Sequence, residues 1–421
     1  MGHDGATGLG WVQGCGRMRG YKPSSGRRWA AVVVLVALTG GCTSSGAGAD
    51  GQNGTKVKPA AQSVAKPAPP VSAVLTPSNG AKGVLTSTDI APKVTNGTIQ
   101  SVALVANGKP VSGTMTADGT AWRPGAQLAY GTTYTATATA ADADGKTSAF
   151  TTSFTTMDKP ASIVGADLYF ADGDTVGVGM PLIVEFSRSI PAQFHAEVER
   201  RLSVTTTPAV AGSWSWQGND AIHYRPEKYW TPGTKISLRV GIGGVPMGPN
   251  RYGKRDRVAT VTVGPSVYSR VDNASKTMKV YKDGKLLRTM PVSLGKRSTP
   301  TSSGIMVVME RRPQMWMDSS TYGVAVTAKG GYRTKVFSAV RYTWGGEFTH
   351  GAPWSVGDQG RRNVSHGCVN LSPANAAWFL DLSKRGDVIE IVGTGAPVKP
   401  GDGWTDWNVS WAKWKAGSAL A

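Results

Sequence analysis

The chain has 421 residues and a formal net charge of +19, and at about 150 residues per domain it has room for three domains, or two with tails. Gly (54) and Pro (25) are too frequent for a helix bundle, while 40% hydrophobic and 17% charged residues exclude wholesale disorder. The basic surplus suits nucleic acid, anionic lipid or an anionic wall polymer, but no zinc-finger spacing, recognition-helix pattern or aromatic RNP run accompanies it, so no nucleic-acid partner is expected.

Residues 17–28 are basic, 29–38 are continuously apolar, and Thr39, Gly40, Gly41 and Cys42 follow. A charged n-region, a ten-residue apolar stretch too short to span a bilayer and a small-residue site read as an export signal. The stretch 18–42 alone has the proportions of such a signal. Cys42 after two glycines resembles the bacterial lipobox, with Thr39 where an aliphatic residue usually stands. Residues 1–42 are therefore expected to be a lipoprotein signal peptide, with Cys42 lipidated and the protein membrane-anchored and facing the cell wall; an ordinary secretory signal is the alternative. Cys15 would be removed with the signal, so the exported protein keeps one free thiol, Cys368. An unpaired cysteine outside the cytoplasm is better explained by chemistry than by packing.

Residues 43–71 are Ser, Gly, Ala, Pro, Gln and Lys with almost no large apolar side chain, the composition of a flexible tether. An internal repeat comes next. Trp122-Arg123-Pro124, Gly131-Thr132 and Tyr134 return 102 positions later as Tyr224-Arg225-Pro226, Gly233-Thr234 and Ile236. Both copies continue into alternating, Thr-rich strand patterns, which predicts two Ig-like β-sandwich domains over 72–157 and 158–264.

The remainder predicts a third, β-rich domain over 265–395. Strand patterns at 278–281 and 286–292 flank Asp283-Gly284, a hairpin signal of type I′, and further strands are expected at 304–309, 338–342 and 387–392. One helix is clear, with Ser372 as N-cap, Pro373 at the first position and Gly386 as stop. The fold class is thus mainly β, with one clear helix in the third domain. In the tail, 396–421, Trp404, Trp407, Trp411 and Trp414 have helical spacing that places the rings on one face.

Chemistry concentrates in two short segments. His350-Gly351-Ala352-Pro353-Trp354 is followed by Ser365-His366-Gly367-Cys368-Val369-Asn370, so two of only five histidines stand with the free cysteine. A thiol attacks a carbonyl as thiolate, and a neighbouring imidazole lowers its pKa, so Cys with His is the minimum for acyl transfer. Glycine beside the nucleophile lets the backbone approach the substrate and offers an N–H to an oxyanion. Two other readings stand beside it. His350, His366 and Cys368 could hold zinc in a wall peptidase, or the chain could be a non-catalytic wall-binding lipoprotein whose tryptophans stack on glycan.

The pattern His-Gly, a spacer, then Ser-His-Gly-Cys-Val-Asn resembles the signature of the YkuD-type L,D-transpeptidases of bacterial peptidoglycan, and the order of lipobox, two Ig-like domains, catalytic domain and Trp-bearing tail is similar to members that make 3→3 cross-links. The resemblance implies that Cys368 is the nucleophile and His350 the base, oriented by the carbonyl of Gly351. It places strand residues His366 and Gly367 around the oxyanion hole, gives Ser365 and Asn370 supporting positions, and puts Tyr332, Met317 and Trp354 around the substrate. It implies tetrapeptide stems as donor and acceptor, a thioester intermediate, release of D-Ala, acylation by carbapenem-type inhibitors, no cofactor, and a tail docked on the protein. If Ser365–Asn370 is a strand, His366 lies roughly 7 Å along its axis from Cys368, long for a hydrogen bond, whereas His350 can approach sideways.

Overall fold

The computed structural model describes residues 69–421 apart from residue 117; Cys42 and the tether up to residue 68 lie outside the described residues. Two β-sandwiches come first. One is built on a five-stranded sheet in the order Ala81–Val84, Thr147–Thr156, Thr133–Ala141, Thr98–Ala106, Lys109–Val111. Along Thr133–Ala141 the threonines face water while Tyr134, Ala136, Ala138 and Ala140 are buried against Leu104, Trp122 and Phe154, the two-residue period of a half-buried strand. The other has two four-stranded sheets, one containing Leu182–Phe186 and Ala221–Pro226, the other Lys235–Val240 and Arg257–Val263.

The 102-residue repeat has a structural counterpart. Gly131 and Gly233 both turn with positive φ, 56° and 84°, conformations that glycine adopts without steric cost. Their amides donate to Met157 O and Val263 O, and each turn delivers the chain into a buried inner strand.

The third region packs a five-stranded sheet, in the order Lys285–Pro291, Thr277–Lys282, Val267–Asp272, Val388–Val392, Gly304–Val307, with a four-stranded one, in the order Glu310–Asp318, Arg333–Arg341, Phe348–Gly351, Val369–Leu371. Asp283 and Gly284 have φ of 49° and 78°, as the predicted I′ turn requires. The helix Pro373–Leu382 starts as predicted, with Ser372 Oγ accepting from Asn375 N at 3.3 Å, and buries Ala376 and Phe379 in the core between the sheets.

The second sandwich and the third region are not separate bodies joined by a linker. Val307, Met309, Val388 and Trp404 belong to the same buried cluster as Trp230, Leu238 and Val261 of the sandwich, and the amides of Gly177 and Gly179 donate to Arg385 O and Gly386 O.

The tail departs from the expected single helical face. It forms a 3₁₀ turn, Asp406–Asn408, then extended Val409, then a five-residue helix, Trp411–Lys415. The reason is Arg225, whose side chain is buried. Its guanidinium lies 4.8, 5.4 and 4.6 Å from the ring centres of Trp407, Trp411 and Trp414, and Nη2 donates to Val409 O at 2.7 Å. The break falls at extended Val409, which turns its carbonyl to the same cation, and desolvation strengthens the ring contacts. Trp407 Nε1 donates to Gly179 O and Trp414 Nε1 to Ser213 O, so the rings are spent on the protein itself, as self-docking requires. Trp414→Ala should therefore cost about 3–5 kcal/mol, read as a lowered midpoint in chemical denaturation; an unchanged midpoint would show that the tail lies outside the cooperative unit.

Candidate active site

Two short parallel strands build the site. Phe348–Gly351 pairs with Val369–Leu371 in the register Thr349↔Val369, His350↔Asn370, Gly351↔Leu371. Cys368 immediately precedes the second strand. The neighbouring strand, Arg333–Arg341, adds Thr334 and Val336, two residues apart and on one face. Together with Met317, Tyr332, Trp354, Val364, Ser365 and His366 they line a cavity of about 270 Å³ that also contains His350, Cys368 and Asn370. Eight of the side chains singled out in the sequence thus converge on one cavity.

The segment Ser365–Cys368 is not the strand expected of it; regular pairing begins at Val369. Gly367 has φ of 132°, which an L side chain rarely adopts. Ser365 Oγ accepts from Gly367 N at 3.1 Å and donates to Cys368 O at 2.6 Å, holding a tight bend. A serine that clamps the backbone on both sides of a glycine fixes where the Gly367–Cys368 amides point.

His350 is buried, and Nδ1 donates to Gly351 O at 3.2 Å. A carbonyl only accepts, so the proton sits on Nδ1 and Nε2 keeps its lone pair. Burial pushes the imidazole down to about 4, opposed by the bond to Gly351. His366 is exposed, its ring tilted against that of Tyr332 with centres 5.2 Å apart, and lies 3.0 Å from Lys296 Nζ; partial burial and the Lys296 charge both lower its pKa.

The thiol differs from the lowered-pKa expectation. Sγ donates to Gly346 O at 3.7 Å, and burial pushes Cys368 up to about 12, with the Phe348 amide lowering it, Glu347 raising it and Arg341 lowering it by smaller amounts. The resting pair is neutral thiol and neutral imidazole, because desolvation disfavours both charged forms.

Asn370 Nδ2 donates to Ser355 Oγ at 3.0 Å, and Ser355 and Gln359 both donate to Ala352 O, so a buried polar network braces the strand end from below. Sequence reasoning missed this brace, Gly346, Lys296 and Glu347. Only Glu347 left a signal, a carboxylate three residues before His350. Its Oε1 accepts from Ser302 N and Oγ at 2.9 and 3.1 Å, its Oε2 is buried with no partner, and burial pushes it up to about 7. His350, His366 and Cys368 share the cavity, but among the described residues no three of His, Cys, Asp and Glu are placed to hold a metal ion.

A cysteine and a tautomer-fixed histidine on one cavity, beside a glycine bend held by Ser365, define a site suited to acyl transfer. Residues 266–391 match the L,D-transpeptidase catalytic domain family (YkuD), and residues 81–246 match a bacterial Ig domain family. The chain is 37% identical over 403 residues to L,D-transpeptidase 2 of Mycobacterium tuberculosis, covering 94% of this chain and 96% of that one. It is 33% identical to L,D-transpeptidase 5 of the same species, covering 84% and 78%. A solved LD transpeptidase in complex with imipenem is similar with a TM-score of 0.47 at 35% identity, over 56% of this chain and 100% of that one. The chain belongs to the L,D-transpeptidase family.

The charge of Glu347 makes a pH prediction. Above pH 7 its carboxylate opposes thiolate formation at Cys368, and below it the carboxyl is protonated and the opposition vanishes. Glu347→Gln should therefore raise the rate of thiol alkylation several-fold at pH 8.5 and leave it unchanged at pH 5.5; equal rates at both pH values would show that the two groups do not interact.

Proposed function

We propose that the protein forms 3→3 cross-links between peptidoglycan stem peptides through a cysteine thioester. The observation that carries this reading is the placement of Cys368 and His350 on one cavity wall, with His350 Nδ1 tied to Gly351 O so that Nε2 is free to take a proton. Cys368 gives its proton to His350 and attacks the carbonyl on the L-centre of the diamino acid at position 3 of a tetrapeptide stem. The Cys368 amide receives the developing oxyanion, while the Gly367 amide stays tied to Ser365 Oγ. The peptide C–N bond breaks, the His350 proton goes to the departing D-Ala amine, and a thioester remains. An amine on the D-centre of a second stem's diamino acid then attacks, His350 takes its proton, and the thiolate leaves and is reprotonated. The energy of the broken peptide bond is conserved in the thioester, so the residues carry the reaction without a nucleotide.

The other residues have supporting roles. Ser365 holds the bend, Asn370 ties the strand end to Ser355, and His366 shapes the pocket with Tyr332. Met317 and Trp354 form its apolar wall. Because the thiol donates to Gly346 O at rest, acylation requires it to turn toward His350. Carbapenems offer a strained carbonyl resembling the donor's acyl group and acylate the same thiol. Upstream, Cys42 carries lipid and the tether of 43–71 holds the folded part clear of the membrane, facing the wall.

The deciding experiment incubates the protein with disaccharide tetrapeptide and weighs the products. A dimer lighter by one D-Ala is expected; a monomer lighter by one D-Ala would replace the transferase with a carboxypeptidase. A carbapenem should add one-to-one at Cys368 in the presence of chelator, whereas activity lost to chelator and restored by zinc would favour the metallopeptidase. His350→Ala should slow acylation roughly 10²- to 10⁴-fold at neutral pH. Part of that loss should return toward pH 10 as Cys368 ionises unaided; the same rescue in His366→Ala but not in His350→Ala would reverse the roles. Detergent partitioning should follow Cys42, and a Cys42→Ala protein still anchored would refute lipidation there.

A further inference from the structure

Positive charge gathers in a groove outside the catalytic cavity. A groove of about 580 Å³ is lined by Lys276, Arg297, Arg361 and Arg362, with Asn273 and Asn363 between them. Arg362 is paired with Asp358, whereas Arg297 and Arg361 are exposed and enter no ion pair among the described residues. Lys276 has φ of 52° and its Nζ donates only to Asn273 O at 2.8 Å. Like charges gathered on one wall repel one another and raise the local concentration of anions, so the arrangement is favourable only with an anionic partner.

The groove and the catalytic cavity share a wall. Residues 361–365 are laced to the segment 292–296: Ser293 Oγ donates to Arg362 O and accepts from Val364 N, Ser365 N donates to Leu294 O, and Lys296 N donates to Ser365 O. One end of this laced pair presents Arg297 and Arg361 to the groove. The other end presents His366 and Cys368 to the cavity. Seven residues from Arg361 to Cys368 span at most about 25 Å, within the reach of a stem peptide together with the sugar that bears it.

We propose that this groove binds the carboxylates of a peptidoglycan strand whose stem occupies the catalytic cavity. The proposal rests on the function proposed above, since stem peptides carry free carboxylates and a strand threaded through the cavity must leave it somewhere. The groove holds the polymer, and the cavity performs the chemistry on it.

The test compares the full chain with its Arg297→Gln/Arg361→Gln variant in cosedimentation with insoluble peptidoglycan stripped of phosphate polymers, between 50 and 300 mM salt. The variant should bind about tenfold more weakly at the lowest salt and with a shallower salt dependence. Arg297→Lys/Arg361→Lys should regain most of the affinity, and peptidoglycan with amidated carboxyls should bind the unaltered chain as weakly as unmodified wall binds the Gln variant. Carbapenem acylation at an unchanged rate verifies that the Gln variant is folded. Equal affinity of the unaltered chain and the Gln variant, indifference to amidation, or a loss seen only on anionic phosphatidylglycerol vesicles overturns the proposal. Dimer formation from soluble stems is read separately. If no dimer forms, the transferase reading fails, while the groove is still judged by cosedimentation.

Discussion

The site depends on the register of two short parallel strands. Phe348–Gly351 and Val369–Leu371 pair so that His350 stands beside Asn370, and side chains in register on parallel strands share a face. A slip of one residue would turn His350 away from the cavity, because side chains alternate with a period of two. The fold resists that slip on both sides. The strand Arg333–Arg341 pairs with one edge, while Ser293 exchanges backbone bonds with Asn370 at the other. Below, Asn370, Ser355 and Gln359 tie the strand end to Ala352 O. A buried polar network whose members satisfy one another fixes a single arrangement more firmly than apolar packing does.

That arrangement is electrostatically restrained at rest. Burial holds the thiol near 12 and the imidazole near 4, so neither is charged at neutral pH. The local charges oppose each other, with Glu347 disfavouring the thiolate and Arg341 favouring it. A neutral thiol is a poor target for oxidants, which attack the thiolate. In the proposed reaction, ionisation belongs to the moment of attack, when the substrate fills the cavity.

The second sandwich supports the catalytic region from behind. A shared buried cluster, the glycine amides at Gly177 and Gly179, and the tail wrapped around Arg225 make three independent connections. The first sandwich meets the second through a smaller, polar contact in which Asp89 accepts from both Arg123 and Arg201. An ion-paired contact of this kind is more easily altered by salt than an apolar core. The catalytic region is therefore joined to the second sandwich through an apolar core, and the two sandwiches to each other through this polar contact.

Several features were legible in the sequence because they are local. The I′ hairpin at Asp283-Gly284, the capped helix Pro373–Leu382 and the repeated turns at Gly131 and Gly233 each follow from a few adjacent residues whose backbone preferences leave little choice. The Cys and His segments were legible too, since their residue types at that spacing serve little purpose besides chemistry. Tertiary structure decided what depends on distant partners. Trp404 to Trp414 have the spacing of a helix, yet the chain is extended at Val409, whose carbonyl accepts from Arg225, nearly two hundred residues away. Ser365–Cys368 leads directly into the strand Val369–Leu371, yet its serine clamp and the positive φ of Gly367 make it a bend. Glu347 and Arg341 carry no motif, and only the folding of the chain around them sets the field in which Cys368 sits. Local sequence encodes backbone geometry, whereas charge and burial are properties of the whole arrangement.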